Sequence, residues 1–224
     1  MFIKMKLNGV PIEGAIFDLD GTLLDSMPAW FGICGDYLRH KGLQPRPDVD
    51  EAVRTMSLPQ AAECIREAYA LPDSAEEITH EALRMMECAY FDTIPAKPGA
   101  AALLRRLHGA GIPMCVATAS DRRLAQAALE RLDLLPYLGE IFTCAQLGVS
   151  KNSPEIYETA RKYLGTPKAH TVVFEDSLHA AATAAKAGFP VAAVYDEAAA
   201  ADREALRQCA VVYLDTLEGW SPQV

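Results

Sequence analysis

Early in the chain a short apolar run, Ala15-Ile16-Phe17, gives way to acids and a glycine, and similar runs recur at residues 113–118, 171–174, 191–195 and 210–214. Their length and their Val-like content predict buried strands. Between them the apolar positions switch to helical spacing, over residues 98–108, 121–132, 154–164 and 178–187. Ser120, Ser153 and Ser177 stand as candidate N-caps, and Gly165 and Gly188 as stops. Strands alternating with helices predict an α/β fold, a doubly wound parallel sheet with helices on both faces. Such sheets bind ligands at the carboxyl ends of their strands.

The alternation is interrupted once. Between the first strand and about residue 95 the pattern is helical only, which predicts a small all-α module inserted at residues 28–95 into a core made of residues 1–27 and 96–224. Ser57-Leu58-Pro59-Gln60 has the form of a capping box, with Ala61, Ile65 and Ala68 following at helical spacing. A second helix is expected over residues 74–90, its Ile78, Ala82, Met85 and Ala89 stripe serving as core. Residues 93–98 then form a return linker.

Composition narrows the classes of function. Half of the 224 residues are hydrophobic, enough for a sizeable core, and a charged fraction of 23% with a mean hydropathy of +0.04 excludes a disordered chain. A net charge of -9 without any Lys or Arg run argues against nucleic acid and against an anionic membrane as partners. The six cysteines are scattered, without C-x-x-C or zinc spacing, and read as reduced core residues. Residues 1–10 lack the apolar segment of a signal peptide and no stretch approaches a membrane span, so the cytoplasm is the expected location.

Candidate chemistry gathers where the strands end. In Asp18-Leu19-Asp20-Gly21-Thr22 two carboxylates leave the first strand two residues apart, on the same face, ahead of a glycine that permits a turn. Either a turn with two solvated acids or a nucleophile beside a general acid/base fits that pattern. Thr118 ends the second run, and the helix beyond it would aim the N–H groups around Ala119 at an anion. Lys151 lies in a polar loop before a Pro-initiated helix and, taken alone, reads as a solvated surface charge. Glu175 and Asp176 follow another strand; they suit Mg²⁺, which prefers carboxylate oxygens, or equally a helix N-terminus.

In this order the residues resemble the haloacid dehalogenase (HAD) superfamily of phosphohydrolases over nearly the whole chain. Asp18-Leu19-Asp20-Gly21-Thr22 is similar to its first motif, Thr118 to its second, Lys151 to its third and Glu175-Asp176-Ser177 to its fourth. The helical insert resembles the family's C1-type cap, near phosphoglycolate phosphatase and β-phosphoglucomutase-like members. Two departures stand out: Ser150-Lys151-Asn152 where many relatives have Gly-Lys-Pro, and Ala180 where many have Gly.

The resemblance implies a Rossmann-like core and a Mg²⁺-dependent phosphatase acting on a small phosphorylated metabolite, as a monomer or weak homodimer. It implies Asp18 as nucleophile, Asp20 as general acid/base, and Thr118, Ala119 and Lys151 as phosphate-binding groups. Asp18, Asp176 and the Asp20 carbonyl would hold the metal, with Glu175 in the outer shell, while the cap closes over the leaving group. Trp30, Arg54 and Ser57 are the candidate cap contacts. Residues 28–95 hold twelve acids against six Lys and Arg, a charge of -6 that favours a small monophosphate over a bulky polyanion. A phosphomutase could use the same core, but related mutases commonly have His near the position of Trp30 and a cap Lys, whereas this chain has no Lys between Lys41 and Lys97. A receiver-like binding module would require neither Asp20 nor the insert, and haloalkanoate dehalogenation does not call for Asp20.

Overall fold

The computed structural model describes residues 5–54 and 56–220. Residues 1–4 and 221–224 of the expected core, and residue 55 of the expected insert, lie outside the described residues. The chain divides into two compact units, one comprising Ser26–Ile94 and the other the segments on either side of it.

The larger unit begins with a hairpin of β1 (Lys6–Leu7) and β2 (Val10–Pro11), turned by Asn8 and Gly9 at φ of 46° and 88°. That is the positive-φ pair an Asn-Gly turn supplies. Two-residue strands carry too little alternation to be read from sequence. The main sheet then forms from β3 (Gly14–Phe17), β4 (Met114–Thr118), β5 (Ile141–Thr143), β6 (Thr171–Glu175), β7 (Val191–Val194) and β8 (Val212–Leu214). All six are parallel, in the order β5-β4-β3-β6-β7-β8.

β3 lies between β4 and β6, at the point where the strand order reverses, which is where such sheets place their ligands. It is buried along its whole length, so it reads as a continuous apolar run rather than an alternating one. Phe17 stacks on Phe174 of β6 with centroids 4.4 Å apart and an interplanar angle of 16°. Below the sheet, Ile16, Cys115 and Val173 pack with Ile156 and Tyr157 of the helix Glu155–Leu164 and with Ala181 and Ala184 of the helix Leu178–Lys186.

Two caps differ from expectation. The helix Arg122–Arg131 is capped by Asp121, whose carboxylate accepts the Arg123 N–H at 2.8 Å, not by Ser120. The helix Glu155–Leu164 takes Pro154 as its N-cap residue rather than Ser153. β5 was not legible because three residues between Glu140 and Cys144 are too few to show a period.

Among its described residues the regular structure of the smaller unit is helix only: Met27–Phe31, Ile33–His40, Val49–Val53, Leu58–Ala68 and Ala75–Asp92. Ser57 starts the fourth helix, its N–H and hydroxyl both donating to Gln60 Oε1 at 3.0 and 2.9 Å. Ser74 starts the fifth, where its hydroxyl oxygen accepts the Glu77 N–H at 3.2 Å. The buried stripe of that helix is Ile78, Ala82, Met86 and Tyr90, so the expected Met85 and Ala89 are corrected by one position. A spacing of four keeps Tyr90 inside, where its hydroxyl accepts the indole N–H of Trp30 at 3.2 Å. All six cysteines are free thiols, but Cys88 is exposed rather than a core residue. Among the described residues no helix is long and apolar enough to cross a membrane.

Candidate active site

The ladder between β3 and β6 continues one residue past the strand, the Asp18 N–H donating to Phe174 O at 2.9 Å. This fixes the Asp18 backbone to the sheet, and the residue is buried, 8% exposed. Lys151 reaches it from the loop before the helix Glu155–Leu164, its ammonium donating to Asp18 Oδ1 and, at 2.5 Å, to Glu175 Oε1. Lys151 is therefore a buried residue, 7% exposed, and not the solvated charge that its polar loop suggests. Two carboxylates from distant parts of the chain offset the cost of burying it.

Glu175 is held on every side. Oε1 also accepts the hydroxyl of Tyr157 at 3.2 Å; Oε2 accepts the N–H groups of Asp176 and Ser177 at 3.1 and 3.2 Å and the Ser177 hydroxyl at 3.3 Å. A carboxylate so engaged organises its neighbours rather than offering lone pairs of its own. Asp176, 5% exposed, follows it and accepts the Thr22 hydroxyl at 2.9 Å. Gly21 sits at φ +81°, where a Cβ would overlap the Asp176 carboxylate. Only glycine both turns the chain here and leaves room for that acid.

Asp20 has a different partner. Its Oδ2 accepts the hydroxyl of Ser120, so the two acids of the first motif are held in separate environments. Thr118, 1% exposed, closes β4 and its Oγ1 accepts the Ser120 N–H at 3.0 Å; Ala119 lies exposed between them. The sequence pattern offers Ser120 only as a helix cap and gives Tyr157 no functional signal; Thr22 stands inside the first motif, which is the usable one.

Among the described residues, Asp18, Glu175 and Asp176 bring carboxylate oxygens within 4.8 Å of one another. Burial, then the charge of Glu175, pushes the Asp18 carboxyl well above the ordinary range, against the pull of Lys151. Burial and Glu175 likewise push Asp176 up to about 7. Burial alone would lower the Lys151 ammonium, but Asp18 and Glu175 outweigh it and raise it. Fully ionised, three buried acids against one lysine carry a net charge of -2, which a divalent cation would balance. Hard oxygen donors suit such an ion.

Trp30 and Arg54 belong to the other unit, where they line a cavity of about 270 Å³ together with Phe31, Val53 and Met56. Arg54 pairs with Glu51 at 3.4 Å and lies 5.9 Å from the Phe31 ring centroid. Ser57 does not line this cavity; it is exposed and committed to the helix cap.

A doubly wound parallel sheet with a lysine-bridged carboxylate cluster at its switch point is the arrangement of an α/β enzyme. Residues 12–188 match the haloacid dehalogenase-like hydrolase family, and the chain belongs to that family of hydrolases. It is 32% identical to hexitol phosphatase A of Escherichia coli, over 81% of this chain and 82% of that protein. It is 30% identical to phosphoglycolate phosphatase of Rhodobacter capsulatus, over 78% and 80%. The crystal structure of a protein described as a putative beta-phosphoglucomutase from Thermotoga maritima superposes with a TM-score of 0.82 at 26% identity, covering 92% of this chain and 95% of that one.

Proposed function

We propose that this enzyme hydrolyses the phosphomonoester of a small phosphorylated metabolite, a sugar or polyol phosphate or a phosphoglycolate-like acid, with Asp18 as nucleophile and Asp20 as general acid/base. The observation that carries this is the separation of the two acids: Asp18 bound to Lys151 beside Glu175 and Asp176, Asp20 bound to Ser120. The hexitol phosphatase and phosphoglycolate phosphatase relatives support the substrate class. The helical unit Ser26–Ile94, with its acidic surface and Trp30–Arg54 cavity, is the cap that selects among substrates.

In the first step an Asp18 carboxylate oxygen forms a bond to phosphorus as the bond to the leaving oxygen breaks, giving an aspartyl-phosphate. The Asp20 carboxyl gives its proton to the departing alkoxide. In the second step the Asp20 carboxylate takes a proton from water as that water's oxygen bonds to phosphorus and the Asp18 carboxylate departs. Lys151 neutralises charge on the transferring group and orients Asp18; Thr118 and the N–H groups around Ala119 hold the phosphoryl oxygens. Mg²⁺, held by Asp18, Asp176 and the carbonyl of Asp20, would offset the repulsion between nucleophile and phosphate. Glu175 acts from the outer shell, fixing Lys151.

The test is phosphate release from a panel of hexitol, hexose, glycolyl and glyceryl monophosphates with Mg²⁺, by the wild type and by Asp18→Asn. Release by the wild type and none by a folded Asp18→Asn is expected, and wild-type-like release by the variant would overturn the nucleophile assignment. Conversion of one sugar phosphate into its isomer without free phosphate would overturn hydrolysis.

A further inference from the structure

Just beyond the first motif, the segments flanking the insert meet in a short ladder. Leu24 pairs with Ala96 in an antiparallel bridge, the Asp25 N–H donates to Pro95 O at 2.9 Å, and the Lys97 N–H donates to Leu23 O at 2.9 Å. On its other side Leu24 pairs with Asp20, and its carbonyl accepts the Gly21 N–H at 2.9 Å. Ala96, Leu24 and Asp20 therefore stand side by side. A sideways shift of Pro95, Ala96 and Lys97 is passed through one residue to the turn that carries Asp20.

Those three residues are anchored from a distance. The Lys97 ammonium lies 2.6 Å from Asp196 Oδ2 and donates to Tyr195 O at 2.9 Å, just past the end of β7. Asp196 is buried and Lys97 partly so, their side chains 3% and 12% exposed. Asp196 Oδ1 accepts the Ala198 N–H at 2.8 Å, so the acid is itself oriented. A buried ion pair contributes little net stability once desolvation is counted, and an apolar pair of similar volume often serves as well. What an apolar pair lacks is direction: the lysine is held to one carboxylate oxygen and one carbonyl, which fixes where the linker sits.

We propose that Lys97 and Asp196 are positioning residues that pin the return linker to the end of β7 and, through Ala96 and Leu24, hold Asp20 where it can protonate the leaving group. The proposal rests on the acid/base role given to Asp20 above. Neither residue is part of the Asp18, Glu175 and Asp176 cluster. Their loss should therefore matter most for leaving groups that need a proton, an alkoxide rather than a stabilised phenolate.

The experiment compares an alkyl monophosphate with p-nitrophenyl phosphate in the full chain, using the double variant K97M/D196N; Asn keeps the acceptor for the Ala198 N–H. The double variant should melt close to the wild type. Its kcat/KM, which is set by formation of the phosphoenzyme and not by the breakdown common to both esters, should fall about tenfold or more on the alkyl ester and only about threefold or less on the aryl ester, a fraction of the hundredfold or larger effect general acids supply. K97R, which retains the charge, should recover part of the alkyl activity. Asp20→Asn is the benchmark and should show the same selectivity more strongly. Equal losses on both esters in K97M/D196N, with Asp20→Asn still selective, would overturn the positioning role alone. Absence of selectivity in Asp20→Asn would overturn the acid assignment and this proposal with it. If the double variant does not fold, D196N alone is read by the same ratio.

Discussion

Removing divalent cations and raising the pH should destabilise the core unit, and the size of the effect follows from Asp176. Its carboxyl stands at about 7 in the folded chain against an ordinary 3.8. Between those values the folded chain keeps a proton that the unfolded chain has lost, so stability falls as pH rises. This contribution is fully present below 3.8 and is lost as pH climbs through about 7. At about 1.36 kcal/mol per decade the whole rise corresponds to about 4 kcal/mol, of which about 3 kcal/mol falls between about pH 5 and about pH 8. Asp18, also held above its ordinary range, acts in the same direction. The carboxylates held low, Glu63, Glu77, Glu140 and Glu158, act in the opposite direction, but their contribution is nearly complete above their ordinary 4.5 and adds only a small slope near the lower end of that window.

Trp220 reports on this unit directly, its ring meeting Phe174 edge-on at 6.2 Å. Melts followed by its fluorescence in a Trp30→Phe background, with chelator, should fall by about 5–10 °C from about pH 5 to about pH 8, given about 2–4 °C per kcal/mol for a chain of this length. Mg²⁺ at about a hundred times its Kd would return about 2.7 kcal/mol and nearly flatten the dependence. A cation-free protein as stable at the higher pH as at the lower, or an Asp176→Asn variant that keeps the full slope, would refute the reasoning.

Gly21→Ala should lose Mg²⁺-supported turnover by more than tenfold while costing about 1–2 kcal/mol in urea melts, since a side chain at φ +81° is strained and its Cβ displaces the Asp176 carboxylate; isothermal titration of Mg²⁺ checks the cause. Tyr157→Phe removes one of the donors to Glu175 and should lower kcat a few-fold at unchanged KM, with about 1–2 kcal/mol lost in stability. Asp20→Asn should slow both formation and breakdown of the phosphoenzyme, and intact-mass spectrometry of a quenched reaction showing rapid turnover would contradict its acid/base role.

Much of the site was legible because it lies where apolar runs end. Asp18, Thr118 and Asp176 each follow or close a strand that the hydrophobic pattern marks, and a parallel sheet delivers those ends to one edge. The local pattern taken alone misleads at Lys151 and Ser120, for opposite reasons. The burial of Lys151 depends on Asp18 and Glu175, which no local window around a polar loop contains. Ser120 stands beside a second residue able to cap the same helix. Asp121 takes that task, leaving the Ser120 hydroxyl for Asp20. The Met85 and Ala89 stripe failed by one residue because Tyr90, with its partner on Trp30, sets which face turns inward.

The place of β3 also bears on how the chain becomes an enzyme during synthesis. Gly14–Phe17 is the first strand of the main sheet to be made, but its neighbours are Met114–Thr118 and Thr171–Glu175. The strand that leads into Asp18 must wait, unpaired, while the whole helical unit Ser26–Ile94 is translated and able to fold. Lengthening the loop between β3 and β4 adds little to the entropy of closing it, because that cost grows only with the logarithm of length. An insert at this point can therefore grow or diverge at small thermodynamic cost to the sheet, while completion of the catalytic edge is deferred until β6 is made.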